Sequence, residues 1–414
     1  MKLFVGIDVS SEKLDVCFLD SSDTTLKEVT LPNNITGASS IKEDVLRYHQ
    51  LFDYEKIVIG MESTSIYSFH PATFLSEDLD LKSLGIVEVV VQNPKAIHRY
   101  KSLFDEDKND RIDAFRIADF LRIERFNKTV LKEECYVALQ RLTRRSRYQM
   151  VHQLTECKQH FLENLYYKCN TLSKELDTSV FGATMLDLLS DSLSLDEIAE
   201  MELEDLATLL QEKGRGRFSD PQKLAKTIKK AIRDSYRLGK VVQESVDIVL
   251  ATYARLIQTL KKQIKELEKS IVALFEVVTE AQCLKSVPGI GVVYAAGIVA
   301  EIGQIERFEN EAQLAKYCGL YWKKNQSGNF ESERTPLTRT GNQYLRYYMV
   351  EAANSIRRHE ETYRCYYQKK YNEVPKFKHK RALVLTARKL VRLVDTLLRN
   401  HQLYTPERSV SLKS

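Results

Sequence analysis

Within the first 125 residues the apolar positions recur with a period near two in some stretches and near 3.6 in others. KLFVGIDV is a β-rich run, and KLDVCFLD and TLKEVTL follow it with turn residues between, which predicts an antiparallel meander of three strands. A helical pattern from about Gly37 to Phe52 leads into KIVIGMES, whose β-branched run predicts a buried strand. A second helix is predicted near Tyr67 to Glu77. IVEVVVQNP then reads as a fifth strand closed by Asn-Pro, and the helix containing KNDRIDAFRIADF comes after it.

From about Cys135 the pattern changes to long polar helices. Met150, Leu154, Cys157, Phe161 and Leu165 keep one helical stripe. Tyr253, Ile257, Leu260, Ile264, Leu267, Ile271 and Leu274 recur in alternating steps of four and three, a heptad seam that predicts a coiled coil within the chain or between chains. Between these helices lie an acidic stretch and then KGRGRFSDPQKLAKTIKKAIRDSY, with a Gly-rich start and a Ser-Asp-Pro helix entry. Near Cys283 the periodic helix gives way to LKSVPGIGVVYAAGIVAEIG, and the last unit ends in the basic helix HKRALVLTARKLVRLVDTLLRN.

The order β-β-β-α-β-α-β-α is that of an α/β ribonuclease H-like fold, an analogy that does not by itself give function. The expected organisation is an N-terminal α/β domain over 1–130, a helical coiled-coil spacer over 131–280 and a mainly α C-terminal domain over 281–405.

Composition adds little until charge is mapped. The 414 residues are 43% hydrophobic and 29% charged, with a net charge of only +5. Residues 175–212 hold eleven acids and no Lys or Arg, 213–240 hold ten bases against two acids, and 333–400 hold sixteen bases against six. Two basic blocks in a nearly neutral chain point to a polyanion, and hence to nucleic acid as a partner. No apolar run approaches the roughly 20 residues that cross a bilayer, and the start lacks a signal pattern, so a cytoplasmic protein with no membrane partner is expected. Seven cysteines without a CxxC pair or a histidine cluster speak against a disulfide framework and a zinc site.

Four acids stand at telling places. Asp8 ends the first strand, Glu62 ends the fourth, and Asp110 and Asp113 lie three apart in the first turns of a helix, on one side of it. In a ribonuclease H-like sheet the first and fourth strands are neighbours. Four converging carboxylates need cations, and hard oxygen ligands suit Mg²⁺ or Mn²⁺ in phosphodiester chemistry. Taken singly, each acid also fits a structural role as a turn former or a helix-dipole partner.

VPGIG, with Gly289 and Gly291, has the form of a helix-hairpin-helix turn whose glycines admit a phosphate, or equally of a packing loop. Ser327 sits in an Asn-Gln-Ser-Gly-Asn turn near Arg334, Arg339 and Arg346, a set able to hold a phosphate. Lys213, Arg215 and Arg217 of KGRGR are candidate backbone contacts to RNA or DNA.

Taken together and in this order, GIDVSSEKLDV, MESTSIY, KNDRIDAFRIADFL, VPGIG, LAKYCGL, QSG and TRTGNQYLR resemble the DEDD-type transposases of insertion sequences, the group described as bridge-RNA-guided recombinases. The resemblance covers about 1–125 and 281–360. It implies a RuvC-like N-terminal domain whose DEDD set falls on Asp8, Glu62, Asp110 and Asp113, and a C-terminal transposase domain whose nucleophilic serine falls on Ser327. It further implies a covalent 5′-phosphoserine link to DNA, a homo-oligomer (dimer or tetramer), donor and target DNA as substrates, and a structured non-coding guide RNA. MESTSIY departs from the family's usual glycine before the aliphatic residue, and the spacer is longer than in compact members. The competing readings are a metal-dependent nuclease or junction resolvase without serine chemistry, and a non-enzymatic coiled-coil nucleic-acid-binding protein.

Overall fold

The computed structural model describes residues 1–63, 66–92, 94–104, 110–123, 132–189, 194–278, 281–322, 326–327, 330–331, 337–338 and 340–406. The chain divides into two compact units, residues 1–133 and 134–414.

The first unit is built on a five-stranded sheet. Its strands are β1 (Lys2–Val9), β2 (Lys13–Asp20), β3 (Thr25–Pro32), β4 (Lys56–Glu62) and β5 (Val87–Gln92). The order across the sheet is β3-β2-β1-β4-β5, with the first three strands antiparallel and β1, β4 and β5 parallel. Three helices, α1 (Ile35–Phe52), α2 (Phe69–Glu77) and α3 (Leu79–Ser83), cover one face, where Leu3, Val5, Ile7, Ile57 and Ile59 meet Ile41, Val45, Leu75 and Leu81. The other face carries α4 (Pro94–Lys101) and α5 (Asp110–Arg122), with Phe4, Val58 and Val90 packed on Ile97, Ala114, Ile117, Ala118 and Leu121. This mixed sheet, followed by a mostly helical remainder, is compatible with a ribonuclease H-like DEDD domain.

Side chains alternate across a strand, so even-numbered positions of β1 and β4 face α5. Gly6 and Gly60, paired in register, occupy two of those positions. A Cβ at Gly6 would stand 2.2 Å from the Ala114 carbonyl oxygen and 2.3 Å from the Ala118 nitrogen, so the backbone of α5 lies directly on β1. At Gly60 the Cβ would instead meet the Leu121 Cδ1 methyl at 2.5 Å, the end of a flexible side chain. Gly6→Ala is therefore expected to destabilise the protein by about 3 kcal/mol. Gly60→Ala is expected to cost clearly less, and urea unfolding midpoints of the two variants check that order.

The second unit contains two hydrophobic cores. Helix α6 (Glu134–Gln140) continues as a π-helix (Arg141–Arg147) into α7 (Tyr148–Lys168). After α7 come α8 (Leu172–Glu175), α9 (Ala183–Asp187), α10 (Leu195–Glu200), α11 (Leu203–Lys213), α12 (Pro221–Arg233) and the 36-residue α13 (Lys240–Phe275). The last stretch comprises α14 (Gln282–Lys285), α15 (Val292–Ile302), α16 (Glu311–Tyr317), the short strands β6 (Gln326–Ser327) and β7 (Phe330–Glu331), α17 (Gln343–His359), α18 (Glu361–Asn372) and α19 (Lys378–Arg399).

The heptad seam of α13 is used inside the chain. Ile257, Ile264 and Ile271 are buried while α13 runs antiparallel to α7, tied by Lys168–Asp247 (2.8 Å) at one end and Arg147–Glu268 (2.8 Å) at the other. The same helix contributes to both cores of this unit. Leu250 and Ile257 belong to one core, whereas Ile271 and Phe275 belong to the other, together with Tyr136 and Leu139 of α6. One helix is thus shared by both cores, and residues 134–414 cluster as one compact unit.

The acidic and basic blocks of this unit fold onto each other. Asp220 caps α12 by accepting from the Lys223 N–H (2.8 Å), with Pro221 in the first turn, as the Ser-Asp-Pro entry predicts. Lys223 then pairs with Asp177 (2.8 Å), Lys230 with Glu175 (2.9 Å), Arg237 with Asp196 (3.3 Å) and Lys213 with Asp187. The bare polyanion-binding face expected from residues 213–240 is thus partly neutralised by its own neighbour in sequence. Arg215 and Arg217 remain exposed.

Candidate active site

Two residues beyond Gly6 and Gly60 on the same faces come Asp8 and Glu62. Ile7 lies opposite Met61 in the parallel pair, so the next positions put Asp8 and Glu62 side by side at the strand ends. Helix α5 lies over the same face with its N-terminal turns toward those ends, because Ala114 sits on Gly6 and the helix runs back toward Leu121. Asp113 thereby reaches Glu62. Lys101, the last residue of α4, stands between them, with Nζ 2.8 Å from Asp113 Oδ1 and 3.9 Å from Glu62 Oε2. Burial pushes the Glu62 carboxyl above its ordinary value; Lys101 pulls it down, Asp113 raises it, and His98 lowers it, with a net upward shift.

Lys101 is held there by its neighbour. The Tyr100 hydroxyl donates to Asp119 Oδ2 (2.6 Å) on α5, and its ring packs against Phe120 at 5.4 Å between centroids. Asp119 also accepts from Arg122 (2.6 Å), so α4 and α5 are locked together and the ammonium is aimed at the acids.

Asp110 begins α5, but its side chain lies outside the described residues. Among the described residues, no group of three or more His, Cys, Asp or Glu gathers closely enough to hold a metal. The donors nevertheless suit a hard divalent cation. They are carboxylate oxygens at the end of one sheet face, and the Glu62–Asp113 pair already draws in a cation, the Lys101 ammonium.

In the second unit, Ser327 lies in β6, paired with Phe330 of β7; the Ser327 side chain, Arg334 and Arg339 lie outside the described residues. The flanks of this hairpin are firmly tied. Trp322 and Leu337 form an antiparallel bridge, and the Thr338 N–H donates to the Tyr321 carbonyl (3.0 Å). Gly341 has φ +120°, and a Cβ there would stand 2.4 Å from the Tyr317 carbonyl oxygen, so the backbone crosses α16 at contact distance. Asn342 does three things at once. Its N–H donates to the Tyr317 carbonyl (2.7 Å), its Oδ1 caps α17 by accepting from the Tyr344 and Leu345 N–H groups (both 3.0 Å), and its Nδ2 donates to Glu301 Oε2 (2.6 Å). Glu301 is fully buried and also accepts from Gln140 Nε2 (3.0 Å). Thr-Gly-Asn therefore fastens the hairpin's exit to the core.

Residues 5–167 match a family model described as a transposase, of the DEDD type, and residues 281–368 match one described as the transposase IS116/IS110/IS902 family. The chain belongs to this family of DEDD transposases of insertion sequences. The transposase is 25% identical over 312 residues to the 44.8 kDa protein of insertion element IS116 of Streptomyces clavuligerus, covering 73% of each chain. It is 30% identical over 161 residues to the 43.6 kDa protein of insertion element IS110 of Streptomyces coelicolor, 39% of each. The transposase for insertion sequence element IS1111A of Coxiella burnetii is 29% identical over 96 residues, 23% of this chain and 26% of that one.

The other residues expected to meet nucleic acid have these surroundings. Gly289 has φ +91° and packs on α17, where a Cβ would lie 3.0 Å from both His359 Nδ1 and the Ile356 Cα; its glycine serves that packing. Gly291 precedes α15 and faces open space. Arg346 Nη1 donates to the Cys318 carbonyl (3.3 Å), a tie between α17 and the end of α16. Three residues of the acidic site escaped the sequence reading: Lys101, Gly6 and Gly60. The glycines had a signal, since each stands two positions before a strand-end acid, in GID and GME. Among the described residues, no helix is long and apolar enough to cross a membrane.

Proposed function

We propose that this transposase cuts and rejoins DNA through Ser327, with Asp8, Glu62, Asp110 and Asp113 forming a Mg²⁺ or Mn²⁺ site, and that it works as a homo-oligomer with a structured guide RNA. The observation that carries the metal part of the reading is that Glu62 at the end of β4 and Asp113 of α5 share the Lys101 ammonium. The serine part rests on the family match over residues 281–368, which includes the QSG turn.

In this reading the Ser327 hydroxyl oxygen attacks a DNA phosphorus and loses its proton to solvent. The bond from phosphorus to the 3′ oxygen breaks, leaving a 5′-phosphoserine link and a free 3′ hydroxyl. A second 3′ hydroxyl then attacks the same phosphorus, the serine oxygen leaves and takes up a proton, and a DNA strand is rejoined. A bound divalent ion supplies neutralisation of charge on the phosphate. Asp8 and Glu62 from the strands, and Asp110 and Asp113 from α5, would hold it. Lys101 keeps Glu62 and Asp113 together when no other cation is there.

The test is direct. The transposase, incubated with its element-end DNA and guide RNA and then digested, is expected to yield a peptide carrying a nucleotide on Ser327 by mass spectrometry. Metal-dependent cleavage that leaves no protein–DNA adduct would instead support a hydrolytic nuclease.

A further inference from the structure

The turn between α18 and α19 carries a residue at odds with its surroundings. Phe377 is 81% exposed and has φ +53° and ψ 27°, the left-handed region that a bulky L side chain adopts only under strain. The conformation has a local use, since the Phe377 carbonyl accepts from the Arg381 N–H (3.1 Å) and so starts α19. Glycine or asparagine would suit that backbone, and a polar side chain would suit the solvent. Phenylalanine opposes both preferences.

The exposed charge near Phe377 in sequence is mostly basic. Lys369, Lys376 and Lys380 are exposed and have no acidic partner among the described residues. Lys378 lies 5.5 Å from the centroid of the Tyr371 ring. Glu373, the nearby acid, is already taken by Lys370 (2.7 Å) and Arg381 (3.0 Å). His379 Nδ1 lies 2.7 Å from the Tyr367 hydroxyl. The turn therefore presents an exposed aromatic ring in a segment with exposed lysines that have no acidic partner among the described residues, and it lies beyond the residues matched by either family model.

We propose that Phe377, with Lys369, Lys376 and Lys380, is a contact for unpaired DNA, the ring stacking on one base and the lysines meeting the flanking phosphates. Aromatic stacking on a free base tolerates any sequence, and lysines supply the backbone attraction. In a duplex the base faces are already stacked, so the ring gains little while the lysines still reach phosphate. This assignment stands apart from the serine and carboxylate chemistry and survives if either fails.

The test is fluorescence anisotropy with the full chain, using a fluorescein-labelled 20-nucleotide single-stranded DNA and its duplex. Phe377→Ala is expected to weaken single-strand binding about tenfold while leaving duplex binding and the salt slope unchanged. Lys376→Ala with Lys380→Ala is expected to reduce the slope of log affinity against log salt by about 1.4. Phe377→Gly relieves the backbone and should melt no lower than the parent protein, yet bind single strands as weakly as Phe377→Ala. Phe377→Trp should bind like the parent and have its added fluorescence quenched by the oligonucleotide. Single-strand binding unchanged in Phe377→Ala, or lost equally for single strand and duplex, would overturn the proposal.

Discussion

Ser327→Ala is expected to abolish the covalent protein–DNA intermediate and to reduce rejoining by roughly 10⁴-fold or more, the scale seen when a covalent nucleophile is removed. The substitution deletes one oxygen from β6, whose flanks are fastened by Trp322–Leu337 and by Asn342, so the fold around it should persist. The measurement is a denaturing gel of protein with end-labelled DNA, alongside a recombination assay in cells. An adduct that survives the substitution would assign the nucleophile elsewhere. Cleavage that continues without an adduct would move the chemistry to the carboxylates alone.

Asp113→Asn separates the two halves of the reading. It keeps the shape and removes one negative charge, so Lys101 loses the partner at 2.8 Å and a divalent ion loses a ligand. DNA cleavage by the transposase is expected to fall by about 10³-fold, equivalent to the several kcal/mol that a metal ion contributes to such chemistry. Asp113 and Lys101 are both partly exposed, so the ion pair itself adds little to stability, and the melting temperature should hardly move. Mn²⁺ titration by calorimetry checks the cause, with affinity expected to fall in the same variant. Activity within tenfold of the parent, with Mn²⁺ affinity unchanged, would return Asp113 to a purely structural role as the Lys101 partner.

The strands were legible because each carries its own signal. KLFVGIDV and KIVIGMES alternate or run apolar over a strand's length, and burial on both faces of a central strand requires that pattern. The entry to α12 was equally plain, because an N-cap acid followed by proline is a local arrangement. The four acids could be nominated from their positions at element ends. The ammonium between two of them could not, because Lys101 reaches Asp113 only after α4 docks on α5 through Tyr100 and Asp119. The internal partners of the basic block were hidden for the same reason. A run of bases reads as a bare face until the acids that precede it fold back within 2.8–3.3 Å.

Sequence alone determined the five strands of the first unit, the seam on α13, the candidate acids, the candidate serine and the family, since the first three rest on local periodicity and element ends and the last two on ordered motifs. Tertiary structure decided which partner each of these meets. It turned the α13 seam toward α7, ran that helix through both cores of the second unit, and used Gly6 to lay α5 on β1. It also placed Lys101 between Glu62 and Asp113, and left Phe377 exposed. Periodicity along a chain reports which side of an element is buried, whereas the identity of the neighbour depends on contacts between residues far apart in sequence, which no local pattern encodes.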